Sequence, residues 1–136
     1  MKKLVLIVVA LLAIAGMAKA QDIYSVGNYT NSSGLQCAAV YLNDQKLYDK
    51  VPPLGDYNFD SPSLVVNGDD IYWAMNSVYA TGGYNYGDIY KNGTIYFNSP
   101  GGQNFHINDL AYGDGHLYAG GSKLVEGSGG VGSVSR

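Results

Sequence analysis

Few residues in this chain of 136 are equipped for chemistry, and their spacing works against it. Cys37 is the only cysteine, so no internal disulfide can form. It lies in Leu35-Gln36-Cys37-Ala38-Ala39-Val40-Tyr41, where strand alternation puts it on one face with Leu35, Ala39 and Tyr41. That setting suits a small buried apolar side chain better than a reactive thiol. His106 and His116 are the only histidines, expected at opposite ends of one strand, whereas zinc wants ligands converging from closer spacing. Asp69-Asp70, and Asp109 with Asp114, lack the alternating oxygen ligands of a calcium loop and read as turn formers. Gly127-Ser128-Gly129-Gly130-Val131-Gly132 fits G-x-G-x-x-G by letter, but no acidic residue follows it to hold a ribose. No serine stands in a G-x-S-x-G elbow, and Glu126 is the only glutamate. No metal, cofactor or catalytic residue is expected.

Aromatic residues are what the chain has in quantity: thirteen Tyr, three Phe and one Trp. All follow residue 20, and such a density argues for strands and against disorder. Residues 1–20 have the form of a bacterial secretory signal. Lys2 and Lys3 head it, Leu4 to Ala15 is unbroken apolar sequence, and Ala18-Lys19-Ala20 provides small residues at −3 and −1. Cleavage after Ala20 is expected, leaving a secreted or periplasmic chain without a membrane span. Residues 21–136 then carry five Lys+Arg against eleven Asp+Glu. An acidic chain without a basic cluster is a poor partner for nucleic acid.

The mature chain repeats itself. Ile23-Tyr24, Ile71-Tyr72 and Leu117-Tyr118 follow one another at intervals of 48 and 46 residues. Ser63-Leu64-Val65-Val66-Asn67-Gly68 matches Asp109-Leu110-Ala111-Tyr112-Gly113-Asp114, and Val40-Tyr41-Leu42-Asn43 matches Ile89-Tyr90-Lys91-Asn92. Leu47-Tyr48 aligns with Ile95-Tyr96 if a three-residue loop, Asn43-Asp44-Gln45, absorbs one extra residue, which pairs Tyr41 with Leu47 and Val40 with Tyr48. Asn92-Gly93 is a strong hairpin signal, since both residues tolerate the positive φ of a type I′ turn. It pairs Lys91 with Thr94, Tyr90 with Ile95 and Ile89 with Tyr96. Gly68-Asp69 and Asp114-Gly115 mark two more tight turns, and all four prolines fall in or beside longer connections. Each repeat therefore reads as four short strands followed by a crossover, the layout of a propeller blade.

The expected fold is all-β: a partial β-propeller of four-stranded antiparallel blades, repeating every 46–48 residues. Residues 22–51 form a partial blade, 62–98 a complete one and 107–136 a third, partial one. The hairpin Leu64-Val65-Val66-Asn67-Gly68-Asp69-Asp70-Ile71-Tyr72 and the strand end Leu117-Tyr118-Ala119-Gly120-Gly121 resemble the first hairpin of a kelch-type blade. Tyr90-Lys91-Asn92-Gly93-Thr94-Ile95-Tyr96 is similar to the outer hairpin of loosely kelch-like repeats in secreted bacterial proteins. The glycine pair is present only in the third repeat, and Trp73 lies in the Tyr strand rather than the outer strand. Propellers close with about four to eight blades, so about two and a half imply a piece of a longer propeller, or a ring shared between chains.

The resemblance speaks to architecture and not to activity; the expected function is a non-catalytic binding or scaffold module outside the cytoplasm for a protein or glycan. The alternatives are a fragment of a propeller enzyme acting on carbohydrate, or a truncated product without a function of its own. The tight turns at 43–45, 67–69, 92–93 and 113–115 gather at one end of the sheets. The longer connections at 28–35, 52–61, 76–85 and 99–106 gather at the other. Tyr29, Tyr57, Tyr79, Tyr84 and Phe105 fall in or beside them and are the candidate ligand-binding residues. Apolar blade faces left uncovered would make self-association the competing use of exposed aromatics.

Overall fold

The computed structural model describes residues 21–52, 57–79, 85–100, 104–124 and 132–133. Their regular structure is entirely strand: β1 (Tyr24–Thr30), β2 (Gln36–Leu42), β3 (Gln45–Lys50), β4 (Tyr57–Asp60), β5 (Leu64–Asn67), β6 (Asp70–Tyr79), β7 (Tyr86–Lys91), β8 (Thr94–Phe97), β9 (Asn104–Gly113), β10 (His116–Leu124) and β11 (Gly132–Ser133). All pairs are antiparallel. They make a first sheet β1-β2-β3, a middle sheet β4-β6-β7-β8 with β5 also on β6, and a third sheet β11-β10-β9.

The hairpin turns follow from residue type. Asn43 and Asp44 (φ 49° and 65°) and Asn92 and Gly93 (φ 49° and 80°) are two-residue turns with both centres at positive φ, the type I′ requirement. In both repeats the turn asparagine also ties down the start of the neighbouring strand. The Asn43 side chain accepts from the Ile23 N–H at 2.9 Å and donates to Asp22 at 3.1 Å. Asn92 accepts from the Ile71 N–H at 2.9 Å and donates to Asp70 at 3.4 Å.

Register departs from the expectation in a consistent way. The first outer loop is the two residues Asn43-Asp44, so Tyr41 pairs with Lys46 rather than Leu47, while Val40 still pairs with Tyr48. In the second, Ile89 pairs with Phe97 rather than Tyr96. Leu47 and Tyr96 are therefore bulge residues at the same place, and a shift of 49 aligns both hairpins with no insertion. A bulge adds twist to an outer strand without moving the turn.

A second bulge explains β4, which lies inside the 52–61 segment expected to be a connection. β4 and β5 follow one another along one edge of β6, interrupted by Ser61-Pro62-Ser63. Pro62 has no N–H to offer the ladder, and the Ser61 hydroxyl donates instead to the Ala74 carbonyl at 2.8 Å. In the third sheet the equivalent strand is one piece, β9, whose register shifts at Asn108, 46 residues after Pro62. The middle sheet therefore begins at Tyr57 rather than at 62. The histidines, expected on one strand, lie on two: His106 in β9 and His116 in β10, at opposite ends of that hairpin.

The middle sheet is covered on both faces. Alternation sends Ile71, Trp73 and Met75 one way, where they pack with Phe59 against Ala38 and Val40 of the first sheet. Tyr72, Ala74 and Ile89 point the other way, against Ile107 and Leu110 of the third. All of Ile71–Ser77 is consequently buried. Trp73 is the largest buried side chain and stacks on Tyr90 at 5.0 Å. Cys37 is buried with a free thiol.

Gly93 illustrates how turn and stack are joined. A Cβ on Gly93 would lie 2.7 Å from Cδ1 of Tyr48, which reaches over from the first sheet. Its counterpart Asp44 shows that the turn alone tolerates a side chain. Gly93→Ala combines left-handed strain of about 1–2 kcal/mol with displacement of Tyr48. It is expected to lower the melting temperature by about 5–10 °C. Gly27→Ala, with nothing within 4 Å of the new methyl, should leave the melt nearly unchanged. Equal shifts in thermal melts would contradict this packing.

Candidate functional site

Antiparallel alternation sends the ends of β1, β3, β6, β8 and β10 toward the longer connections and the tight turns toward the opposite end. The strands run further into these connections than expected, so the candidate aromatics are mostly strand residues. Tyr57 and Tyr79 are directly opposite each other where β4 pairs with β6. Phe105 is the second residue of β9, its N–H donating to the Asn85 carbonyl at 3.0 Å. Tyr84 lies outside the described residues, as do residues 127–131 of the glycine-rich stretch.

Tyr29 is in β1 and already engaged. Its hydroxyl donates to the Asp49 carboxylate at 2.7 Å, and Lys46 reaches the same oxygen at 2.7 Å while lying over the Tyr29 ring at 4.6 Å. Asp49 raises the Tyr29 hydroxyl above its ordinary pKa, and Lys46 holds Asp49 below the usual carboxylate range. Both effects bind the two strands of one sheet across their surface. Lys91 does the same for Asp70 at 2.8 Å, and exposed pairs of this kind contribute little stability each.

Phe105 leads to the feature that sequence reading missed. Its ring lies 6.4 Å from Phe97, tilted by 50°, and both line a cavity of about 260 Å³ between the middle and third sheets. Ile89, Tyr96, Ile107, Leu117, Ala119 and Lys123 also line it, with the Gly120–Ser122 stretch of β10. Phe97, Phe105 and Lys123 belong to strand ends adjoining the longer connections. The signal was present in the sequence: Ala119-Gly120-Gly121 stands where the previous repeat has Trp73-Ala74-Met75. Read as a kelch-like glycine pair, it gave no hint of space.

Among the described residues no cluster of three His, Cys, Asp or Glu is arranged to hold a metal. One carboxylate is nonetheless out of the ordinary. Asp88 is half-buried and accepts from the Ser99 N–H at 3.1 Å, and burial raises its pKa above the usual carboxylate value. The charged form is thus disfavoured by folding. Below the unfolded pKa of about 3.9 the penalty is absent. Stability falls as pH rises through the raised folded pKa, and is flat above it. Asp88→Asn keeps an oxygen for Ser99 and removes the charge. It should raise the urea midpoint at pH 7 and leave it unchanged at pH 3. An equal change at both pH values, or a loss at pH 7, would contradict the burial argument.

Compared with known proteins, this chain matches no family model, no curated protein and no solved structure.

Proposed function

We propose that the mature chain is an extracytoplasmic, non-catalytic binding module of propeller-type blades, meeting a protein or glycan at the end where the longer connections gather. The observation that carries this reading is the repeated joint between sheets. Asn28 of the first sheet binds Asp60 and Ser61 of the middle one, and Asn76, 48 residues on, binds Ile107 of the third. One unit is thus stacked on the next by one device, as in repeat scaffolds, where connections on a rigid frame do the binding. The four-strand order of the middle sheet and its covered faces support the blade assignment. Tyr57 and Tyr79, paired in register at that end, are the residue type on which a sugar or side chain stacks.

Glycan-array binding by the exported chain, with mass spectrometry of its N-terminus, tests the reading. An N-terminus at Gln21 is expected, with binding that drops at least tenfold in Tyr57→Ala and Tyr79→Ala. An intact Met1, or binding untouched by both substitutions and lost on changing Gln45 or Thr94 beside the tight turns, would overturn it.

A further inference from the structure

The cavity between the middle and third sheets has a counterpart one interface earlier, and the comparison identifies what it lacks. A step of 46 residues carries Ile71, Trp73 and Met75 to Leu117, Ala119 and Gly121. At the first interface these positions fill the space: Trp73 is wholly buried on Tyr90, and Met75 packs in the same cluster. At the second, the same positions offer a methyl group and a hydrogen. Gly121 cannot be enlarged, because a Cβ there would run into the His106 carbonyl. The surrounding frame is retained. Phe59 recurs as Phe105, and Val40 and Tyr48 recur as Ile89 and Phe97 at the 49-residue step of the outer hairpin.

We infer that this cavity receives an aromatic side chain, best an indole, from a partner protein. The inference rests on the binding-module reading and names the chemistry of its ligand. Size supports it: an apolar cavity of about 150 Å³ accepts benzene, so one of about 260 Å³ suits two fused rings. The tilted pair Phe97 and Phe105 supplies edge and face contacts for such a ring. Apolar surface continues beyond the mouth along β8, the outermost strand of its sheet among the described residues. Ile95, Tyr96 and Phe97 are 46%, 57% and 40% exposed there. A free indole would leave that surface in water, whereas a protein seating one ring in the cavity covers it as the surround of a buried anchor. Lys123 in the wall sets the sign of charge and favours a carboxylate close to the inserted ring.

NMR titration of the labelled mature chain tests this with three probes: N-acetyl-tryptophanamide, N-acetyl-tryptophan and N-acetyl-alaninamide. Both tryptophan probes should shift the Ile107, Ala119 and Gly121 amides saturably, with dissociation constants on the order of 1–10 mM for a single anchor. The carboxylate form should bind several-fold tighter, an advantage lost in Lys123→Met, and the alanine probe should do nothing. Ala119→Trp should fill the cavity, abolish the shifts and raise the melting temperature. If that variant does not fold, Ala119→Leu should still weaken binding at least several-fold. Absence of saturable shifts, or shifts unchanged in the filled variant, would overturn the inference. So would shifts of these amides on diluting the free chain, which would make the occupant a second copy. The array reads Tyr57 and Tyr79 while this titration reads the cavity, so either can fail alone.

Discussion

A buried side-chain amide joins the middle sheet to the third, and much of the remaining structure is arranged to make room for it. Asn76 is wholly buried, donating to the Ile107 carbonyl and accepting from the Ile107 N–H, each at 2.8 Å. One side chain thus imitates a rung of a β-ladder between two sheets that share no ladder. The partner is available because β9 is an edge of the third sheet among the described residues, and Ile107, paired with Gly121 beside the register shift at Asn108, can still offer backbone groups outward. Across the ladder from Asn76 stands Gly87, where a Cβ would lie 2.9 Å from Ile107 Cγ1 and 3.1 Å from the Asn76 oxygen. Leaving either Ile107 group unpaired in this setting costs about 1–3 kcal/mol, comparable with burying one large apolar side chain.

The first interface repeats the arrangement with looser parts. Asn28 takes the Ser61 N–H at 3.1 Å and gives its own hydrogen to the Asp60 carboxylate at 3.1 Å, near solvent. Ala38 replaces Gly87 across the ladder. The two interfaces divide the work differently. The first relies on Trp73, Met75 and Tyr48 for close packing; the second has the tighter polar joint, the Tyr72–Tyr112 stack at 5.9 Å and a cavity. At the third position of the series, Ser122 replaces asparagine, with a side chain too short to reach a neighbouring sheet in the same way. The repeat therefore changes character on β10, in the strand that also exchanges tryptophan for alanine.

What could be read from the residues was the part governed by local chemistry. Asn92-Gly93, Gly68-Asp69 and Asp114-Gly115 specify turns through backbone conformation alone, and the Ile-Tyr period follows from stacking like on like. The buried place of Cys37 also followed from alternation. The outer-hairpin bulges at Leu47 and Tyr96 were not legible, because twist and packing across sheets set them rather than turn length. β4 was hidden by Pro62, which suggests a loop unless Ser61 is known to supply the missing donor. Among the site candidates, Phe105 was placed where it lines a cavity. Tyr29 looked free only because the Lys46 and Asp49 that engage it lie on a strand 17 and 20 residues away. The cavity itself arises from a difference between repeats, and a search for likeness passes over differences.

The central claim is that the buried Asn76 amide, beside the bonds from Ser63 and Asn85 to β9 and more than apolar contact alone, fixes the third sheet on the middle one. Urea unfolding combined with hydrogen exchange at the Ile107 amide, comparing Asn76→Ala with Asn28→Ala, tests it most directly. Asn76→Ala should cost about 2–6 kcal/mol, the sum of two groups left unpaired, with the Ile107 amide losing protection ahead of global unfolding. Asn28→Ala, whose partners lie near water, should cost about 1 kcal/mol or less and leave Ile107 protected. Equal small losses in the two variants, with protection at Ile107 unchanged, would show that apolar packing and the Ser63 and Asn85 bonds hold the stack without the amide.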